Sequence, residues 1–289
     1  MSNQAKVIFK TALLFLVIDL NSQMQYVCSI YKKTKLNDQK ICVGDNVHYQ
    51  ATQYGYVIDT IKTRKNLLIR PKLANINIVC LVLSVSNPEF SSYLLNKFIA
   101  FYQARNIDKT IIYFSKMDLL DKTQTNYFLD LISEYQKNNF VVLNSNQKAK
   151  AKQTILKMME NNTICFAGQS GVGKSTFINY LFPNLGLKTN EISQKLKRGK
   201  NTTTSSIAIP YKNGFIIDTP GFNKLDLNLT RKELASAYDD FRENNVHCKF
   251  NDCLHFNEQG CYIKKMVSEN KIYLQRYQDY LKILKEINK

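Results

Sequence analysis

Residues 168–176 read Gly168-Gln169-Ser170-Gly171-Val172-Gly173-Lys174-Ser175-Thr176, and this stretch decides the fold. The spacing is G-x-x-x-x-G-K-[ST], that of a loop that cradles phosphate. Ahead of it, Thr163-Ile164-Cys165-Phe166-Ala167 is a short apolar run that reads as a buried strand. Behind it, Phe177-Ile178-Asn179-Tyr180-Leu181 can open a helix. Strand, loop and helix are the context the motif needs. The glycines let the backbone curl so that its N–H groups converge on phosphate oxygens, and the helix N-terminus adds partial positive charge. Lys174 is expected to neutralise the β- and γ-phosphates and Ser175 to offer its hydroxyl to magnesium. Gly168, Gln169, Ser170, Gly171, Val172, Gly173 and Thr176 complete the cradle.

Two further motifs fit the same chemistry. Asp218-Thr219-Pro220-Gly221 lies 43 residues beyond Ser175, after the apolar run 215–217. An Asp at a strand end can support the magnesium shell, and a following Gly N–H, here Gly221, can sense the γ-phosphate. Between them, Asn201-Thr202-Thr203-Thr204 offers hydroxyls for the same ion. Thr202 and Thr203 are the candidates, though a Thr run by itself is also an ordinary loop edge. Ser115-Lys116-Met117-Asp118 follows the strand-like run 110–114 and matches the guanine-reading pattern [NT]-K-x-D except at its first residue. An Asp carboxylate there accepts hydrogen bonds from guanine N1–H and its exocyclic amine. Adenine lacks that donor pair, so Asp118 selects GTP over ATP and speaks against an ATPase or small-molecule kinase. The base motif precedes the phosphate loop, the reverse of the order in ordinary small GTPases, so the sheet is expected to be circularly permuted.

The 289 residues carry 40 Lys and Arg against 23 Asp and Glu, a net charge of +17. Residues 1–72 hold an excess of +7, residues 73–230 of +8 and residues 231–289 of +2, so the charge is not a tail. A polyanion partner, most simply nucleic acid, is one reading; a Lys-rich composition without a partner is the other. No signal peptide and no membrane span is evident. Seven cysteines at uneven spacing argue against a disulfide framework and for a reducing cytoplasm.

Along the chain three textures follow one another. Residues 1–72 look all-β, with strand-like runs at 13–18, 26–31, 46–49, 54–61 and 66–69, enough for a small barrel of about five strands. Lys32, Lys33, Lys35, Lys62, Arg64, Lys65 and Arg70 would supply charge. Tyr26, Tyr31, Tyr49, Tyr54 and Tyr56 would supply stacking surfaces or half-buried strand positions. From about residue 73 strands (77–83, 110–114, 140–143, 163–167, 207–211, 215–217) alternate with helical patterns (94–102, 127–135). This predicts a parallel sheet covered on both faces. Residues 144–153 read as a polar surface connection. Residues 231–289 hold a Cys/His cluster, then an amphipathic helix with Ile272, Tyr273, Tyr277, Tyr280, Leu281, Leu284 and Ile287 at helical spacing, expected to dock on its own domain, with a partner-binding helix as the other reading.

The cluster is Cys248-x4-Cys253-x-His255-x5-Cys261. Three thiols and one imidazole suit tetrahedral zinc with no open position, hence a structural site. Cys28, Cys42, Cys80 and Cys165 lie in predicted strands and read as core.

With these residues in view, the chain resembles the RsgA (YjeQ) family of circularly permuted GTPases that depend on the small ribosomal subunit. The likeness runs through Val43-Gly44-Asp45, the stretch Arg64 to Pro71, Ala74-Asn75, Ser115 to Asp118, the phosphate loop, Ile192 to Thr204, Asp218 to Phe222 and the four Cys/His positions. It implies an OB barrel over 1–72 that binds RNA, a permuted α/β P-loop GTPase domain over 73–230, and a small helical zinc-binding domain over 231–289. It also implies a cytoplasmic, monomeric late maturation factor that binds the small ribosomal subunit and its rRNA. Subunit-stimulated hydrolysis of GTP to GDP would release it. Lys174, Asn201 and Thr203 are the catalytic candidates. Where the family has His, this chain has Asn201, which can orient water but accepts no proton near neutral pH. Phe222 stands where many GTPases have Gln. The alternative reading is an RNA-binding module for which GTP is a switch ligand, barely hydrolysed.

Overall fold

Strand β1 (Asn3–Lys10) runs antiparallel to both β2 (Phe15–Asp19) and β4 (Asn46–Thr52). With β3 (Gln25–Ile30) and β5 (Gly55–Ile61) these close a barrel in the order β1-β2-β3-β5-β4. Strands β3 and β5 pair in parallel, as in an OB fold. Ala5, Val7, Val17, Cys28, Val47 and Ile58 fill the interior. The count of five strands agrees with the sequence expectation, but the membership differs. The run 66–69 lies outside the barrel and β1 takes its place. Lys6 and Lys10 break the apolar pattern of β1, yet Ala5 to Phe9 are all buried. The Lys6 ammonium is itself buried, 3.3 Å from the Gly44 carbonyl and 5.3 Å from the centre of the Phe215 ring.

The computed structural model describes residues 3–30, 40–69, 71–183, 206–219 and 227–287. The chain forms two units. One comprises Met1–Val79, Lys152–Ala167 and Lys174–Gly221; the other comprises Cys80–Ala151, Gly168–Gly173 and Phe222–Lys289.

In the first unit a short ribbon, β6 (Leu67–Ile69) and β7 (Lys72–Ala74), leads out of the barrel. The Asn66 side chain both donates to the Ile76 carbonyl (2.7 Å) and accepts from the Ile76 N–H (2.9 Å). Asn75 accepts from the Lys65 N–H and donates to the Gly44 carbonyl. Arg64 forks onto the fully buried Asp45 carboxylate at 2.7 and 2.8 Å. Gly44 has φ +93°, and a Cβ on it would stand 2.1 Å from the Ala74 carbonyl oxygen, so only glycine fits. Strand β8 (Ile78–Ser84) starts beside β11 (Thr163–Ala167): Asn77 N–H donates to the Thr163 carbonyl, and Thr163 N–H to the Asn77 side chain. Next to β11 comes the parallel β13 (Gly214–Asp218), then β12 (Ile207–Tyr211), which is antiparallel to β13. The expected all-parallel sheet therefore carries one antiparallel edge, because residues 212–213 are too few for a crossover. Helix α4 (Lys174–Leu181) packs on β11.

In the second unit β8 continues beside β9 (Lys109–Ser115), which pairs in parallel with β10 (Val141–Asn144). Helices α1 (Ser92–Gln103) and α2 (Lys122–Lys137) connect them. A capping box of Asp121 and Gln124 starts α2. The region expected as a surface connection is instead largely helix α3 (Lys148–Met158), which begins at the end of this unit's segment and continues into the first unit's; Ala151, Ile155 and, just beyond, Met159 are buried at spacings of four. After α5 (Arg231–Ser236), α6 (Asp239–Asn244) and α7 (Tyr262–Ser268) comes α8 (Leu274–Glu286), which packs on Tyr238 and Phe241 of its own segment, as expected, and also docks on α1, outside the segment 231–289, which the sequence reading did not foresee. Its buried face carries two charges among the apolar residues. Arg276 forks onto Asp240 (3.0 and 3.1 Å) and reaches Asn96 (3.1 Å), and Asp279 accepts from the Asn96 amide (2.9 Å). No helix among the described residues is long and apolar enough to cross a membrane.

Candidate nucleotide site and metal centre

Strand β11 delivers the chain to Gly168, where a Cβ would stand 2.3 Å from the Val82 carbonyl oxygen. The loop then turns through Gly171 (φ +78°) and Gly173 (φ +85°), conformations that side chains resist. Val172 is buried between them, Gln169 is half-buried, and Ser170 is exposed.

The base motif meets this loop directly. Ser115 ends β9, and its hydroxyl lies 2.6 Å from the Val172 carbonyl and 3.1 Å from that of Leu83. Lys116 adopts a left-handed conformation (φ +60°) that turns the chain out of the strand. Its ammonium donates to the Gly171 carbonyl at 2.9 Å and also to that of Asn87. Met117 is buried and Asp118 is exposed, both in a single 3-10 turn, Met117–Leu119. The Met117 N–H donates to the hydroxyl of Ser145 (2.9 Å), a residue the sequence reading passed over. Its position at the carboxyl end of β10 was the available signal, since ligands in such sheets gather at strand C-termini.

Lys174 opens α4 and is buried, its ammonium held by the Asp218 carboxylate and the Thr219 carbonyl. The Thr219 hydroxyl donates to the Phe166 carbonyl (2.8 Å), which ties the end of β13 to β11. Ser175 and Thr176 are exposed on the first turn of α4. Asn201, Thr202, Thr203, Gly221 and Phe222 lie outside the described residues.

Cys248, Cys253, His255 and Cys261 are all buried, and their ligand atoms lie within 4.8 Å of one another. His255 Nδ1 is 3.5 Å from Cys261 Sγ and 3.8 Å from Cys248 Sγ. Tetrahedral zinc, with bonds of about 2.3 Å to sulfur and 2.0–2.1 Å to nitrogen, sets its ligands roughly 3.5–3.8 Å apart. The set therefore fits one such ion. Burial pushes the Cys253 thiol up to about 12 and the His255 imidazole down to about 4. Thiols so costly to ionise alone are ones that a cation stabilises as thiolates. The loop is braced from α8: the Tyr277 hydroxyl donates to the His255 carbonyl (2.7 Å) and that of Tyr280 to the Leu254 carbonyl (2.6 Å). Of the other cysteines, Cys28, Cys80 and Cys165 lie buried in strands, whereas Cys42 is buried in a loop.

The model of the RsgA GTPase family matches residues 61–228. The chain belongs to the RsgA GTPase family. A relative from Malacoplasma penetrans (strain HF-2), "Small ribosomal subunit biogenesis GTPase RsgA", is 60% identical to this RsgA-family chain over 285 residues, covering 99% of each. A protein of the same name from Bacillus subtilis (strain 168) is 38% identical over 263 residues, covering 89% of this chain and 87% of the relative. Among solved structures, YjeQ from Thermotoga maritima superposes with a TM-score of 0.84 at 27% identity, covering 99% of each chain. YloQ, described as a circularly permuted GTPase, superposes at 0.82 and 29% identity, covering 100% of this RsgA-family chain and 96% of YloQ.

Proposed function

We propose that the chain hydrolyses GTP to GDP and phosphate in the late maturation of the small ribosomal subunit, and that the subunit stimulates turnover. The observation that carries the nucleotide half is the meeting of base motif and phosphate loop. Ser115 and Lys116 hydrogen-bond to the carbonyls of Val172 and Gly171, 57 and 55 residues further along the chain. The backbone cradle Gly168–Gly173 and the base motif thereby belong to one structural unit. The relatives' name supports the ribosomal half.

In this reading Asp118 accepts the guanine donors, and the N–H groups of Gly168 to Gly173 with Lys174 hold the phosphates. Ser175, Asp218 and a threonine of 202–203 would hold magnesium, which neutralises phosphate charge when bound. Lys174 and Asp218 are already in contact. A nucleotide phosphate would compete for the lysine and free the carboxylate for the metal shell. Asn201 is assigned to water positioning only. The Cys/His set holds one structural zinc. The barrel and the metal-bearing region supply rRNA contacts, in keeping with a net charge of +17. The three-domain division at 72 and 230, a monomeric state and a cytoplasmic location belong to the same reading.

Single-turnover hydrolysis with magnesium tests the nucleotide half. GTP is hydrolysed, and ATP is at least about a hundredfold slower because its base offers Asp118 no donor pair. Equal rates for the two nucleotides contradict the assignment.

A further inference from the structure

Ser115 stands where the guanine-reading pattern has Asn or Thr, and its surroundings restrict what its side chain can do. The residue is 6% exposed at the end of β9. A serine hydroxyl has one proton to give. The two groups in reach, the Val172 carbonyl at 2.6 Å and the Leu83 carbonyl at 3.1 Å, are both acceptors. The proton is therefore spent inside the protein. The next loop residue, Gly173, sits directly on it: a Cβ there would be 3.7 Å from the Ser115 Cβ. Guanine presents acceptors, N7 and O6, on one edge and donors on the other. Asp118 serves the donor edge. An asparagine amide has two protons, enough for the loop and for the acceptor edge together. Ser115 has enough for one.

We infer that Ser115 is a positioning residue that holds the phosphate loop by the Val172 carbonyl and leaves guanine N7 unread. This rests on the reading of Ser115 to Asp118 as the base site and deepens it.

Two measurements on the full-length chain test it. In the first, the unaltered protein is titrated with GTP, ATP and 7-deaza-GTP, which carries C–H in place of N7. The inference predicts that 7-deaza-GTP binds within about twofold of GTP, since no hydrogen bond is lost. A loss of about tenfold or more would mean that N7 is read and would overturn the inference. GTP binding no tighter than ATP would overturn the base-site reading itself, a separate failure. In the second, Ser115→Ala is titrated with GDP and GMP. Without its anchor the loop loses grip on the β-phosphate, so GDP weakens roughly tenfold and GMP less, and the ratio of the two affinities shrinks. A folded variant with an unchanged ratio overturns the positioning role. If the variant does not fold, the comparison of GTP with 7-deaza-GTP on the unaltered chain still decides.

Discussion

In the proposed reading, Asp118, whose carboxylate is exposed, would carry the choice of base through its two acceptor oxygens. Asp118→Asn keeps the size and replaces one acceptor with a donor, which opposes the guanine amine. GTP affinity is expected to fall by about a hundredfold while xanthosine triphosphate, with a carbonyl in place of that amine, gains. Competition binding with both nucleotides checks this, and unchanged preference contradicts it. Lys6 makes a different prediction. Burial holds its ammonium down to about 8 from the usual 10.5, against a smaller upward pull from Asp45. Between those two pH values the unfolded chain binds the proton that the folded chain lacks, so stability rises with pH across that window. Relative to Lys6→Met, the unaltered chain should gain on the order of 3 kcal/mol between pH 8 and 10.5. Urea unfolding of both proteins at the two ends of the window measures it; a constant difference between them contradicts it.

At the scale of elements, the metal loop and α8 depend on one another. The Tyr277 and Tyr280 hydroxyls bond to carbonyls at and beside His255, one of the four residues proposed to hold zinc. Stripping the metal with a chelator should therefore release both the loop and α8, seen as faster amide exchange in both. Each chain should lose one zinc by elemental analysis. Loss of metal with α8 still protected would separate the two. Which elements were legible in the sequence follows from how local their chemistry is. The phosphate loop, the base motif and the Cys/His set are short runs whose function lies in their own spacing, and most strands and helices after residue 73 follow plain periodicity. Strand β1 was hidden because Lys6 looks solvated, and nothing near it in sequence announces the Gly44 carbonyl that receives it. Helix α3 was hidden by its lysines, which outnumber the inward residues Ala151 and Ile155. Arg276 and Asp279 went unread because their partners, Asp240 and Asn96, are 36 and more residues away. Ser115 read only as a departure from the base pattern; that its hydroxyl has an acceptor in the loop, 57 residues on, is visible only in the structure.

At the scale of the whole molecule, the order of parts along the chain bears on how turnover could be controlled. The base motif comes before the phosphate loop. Asp218 and Gly221 come after it and run on towards the Cys/His cluster, so a nucleotide-dependent change near Gly221 would have a direct covalent route to that region. With Asn201 offering no general base and Phe222 in place of a water-orienting glutamine, the isolated chain is expected to turn over slowly until a partner orders the site. The decisive measurement is the rate of GTP hydrolysis by the full chain, with magnesium, in the presence and absence of purified small ribosomal subunits. Stimulation of at least about tenfold by small subunits, and none by large subunits, is the predicted result. A rate that small subunits leave unchanged would contradict it.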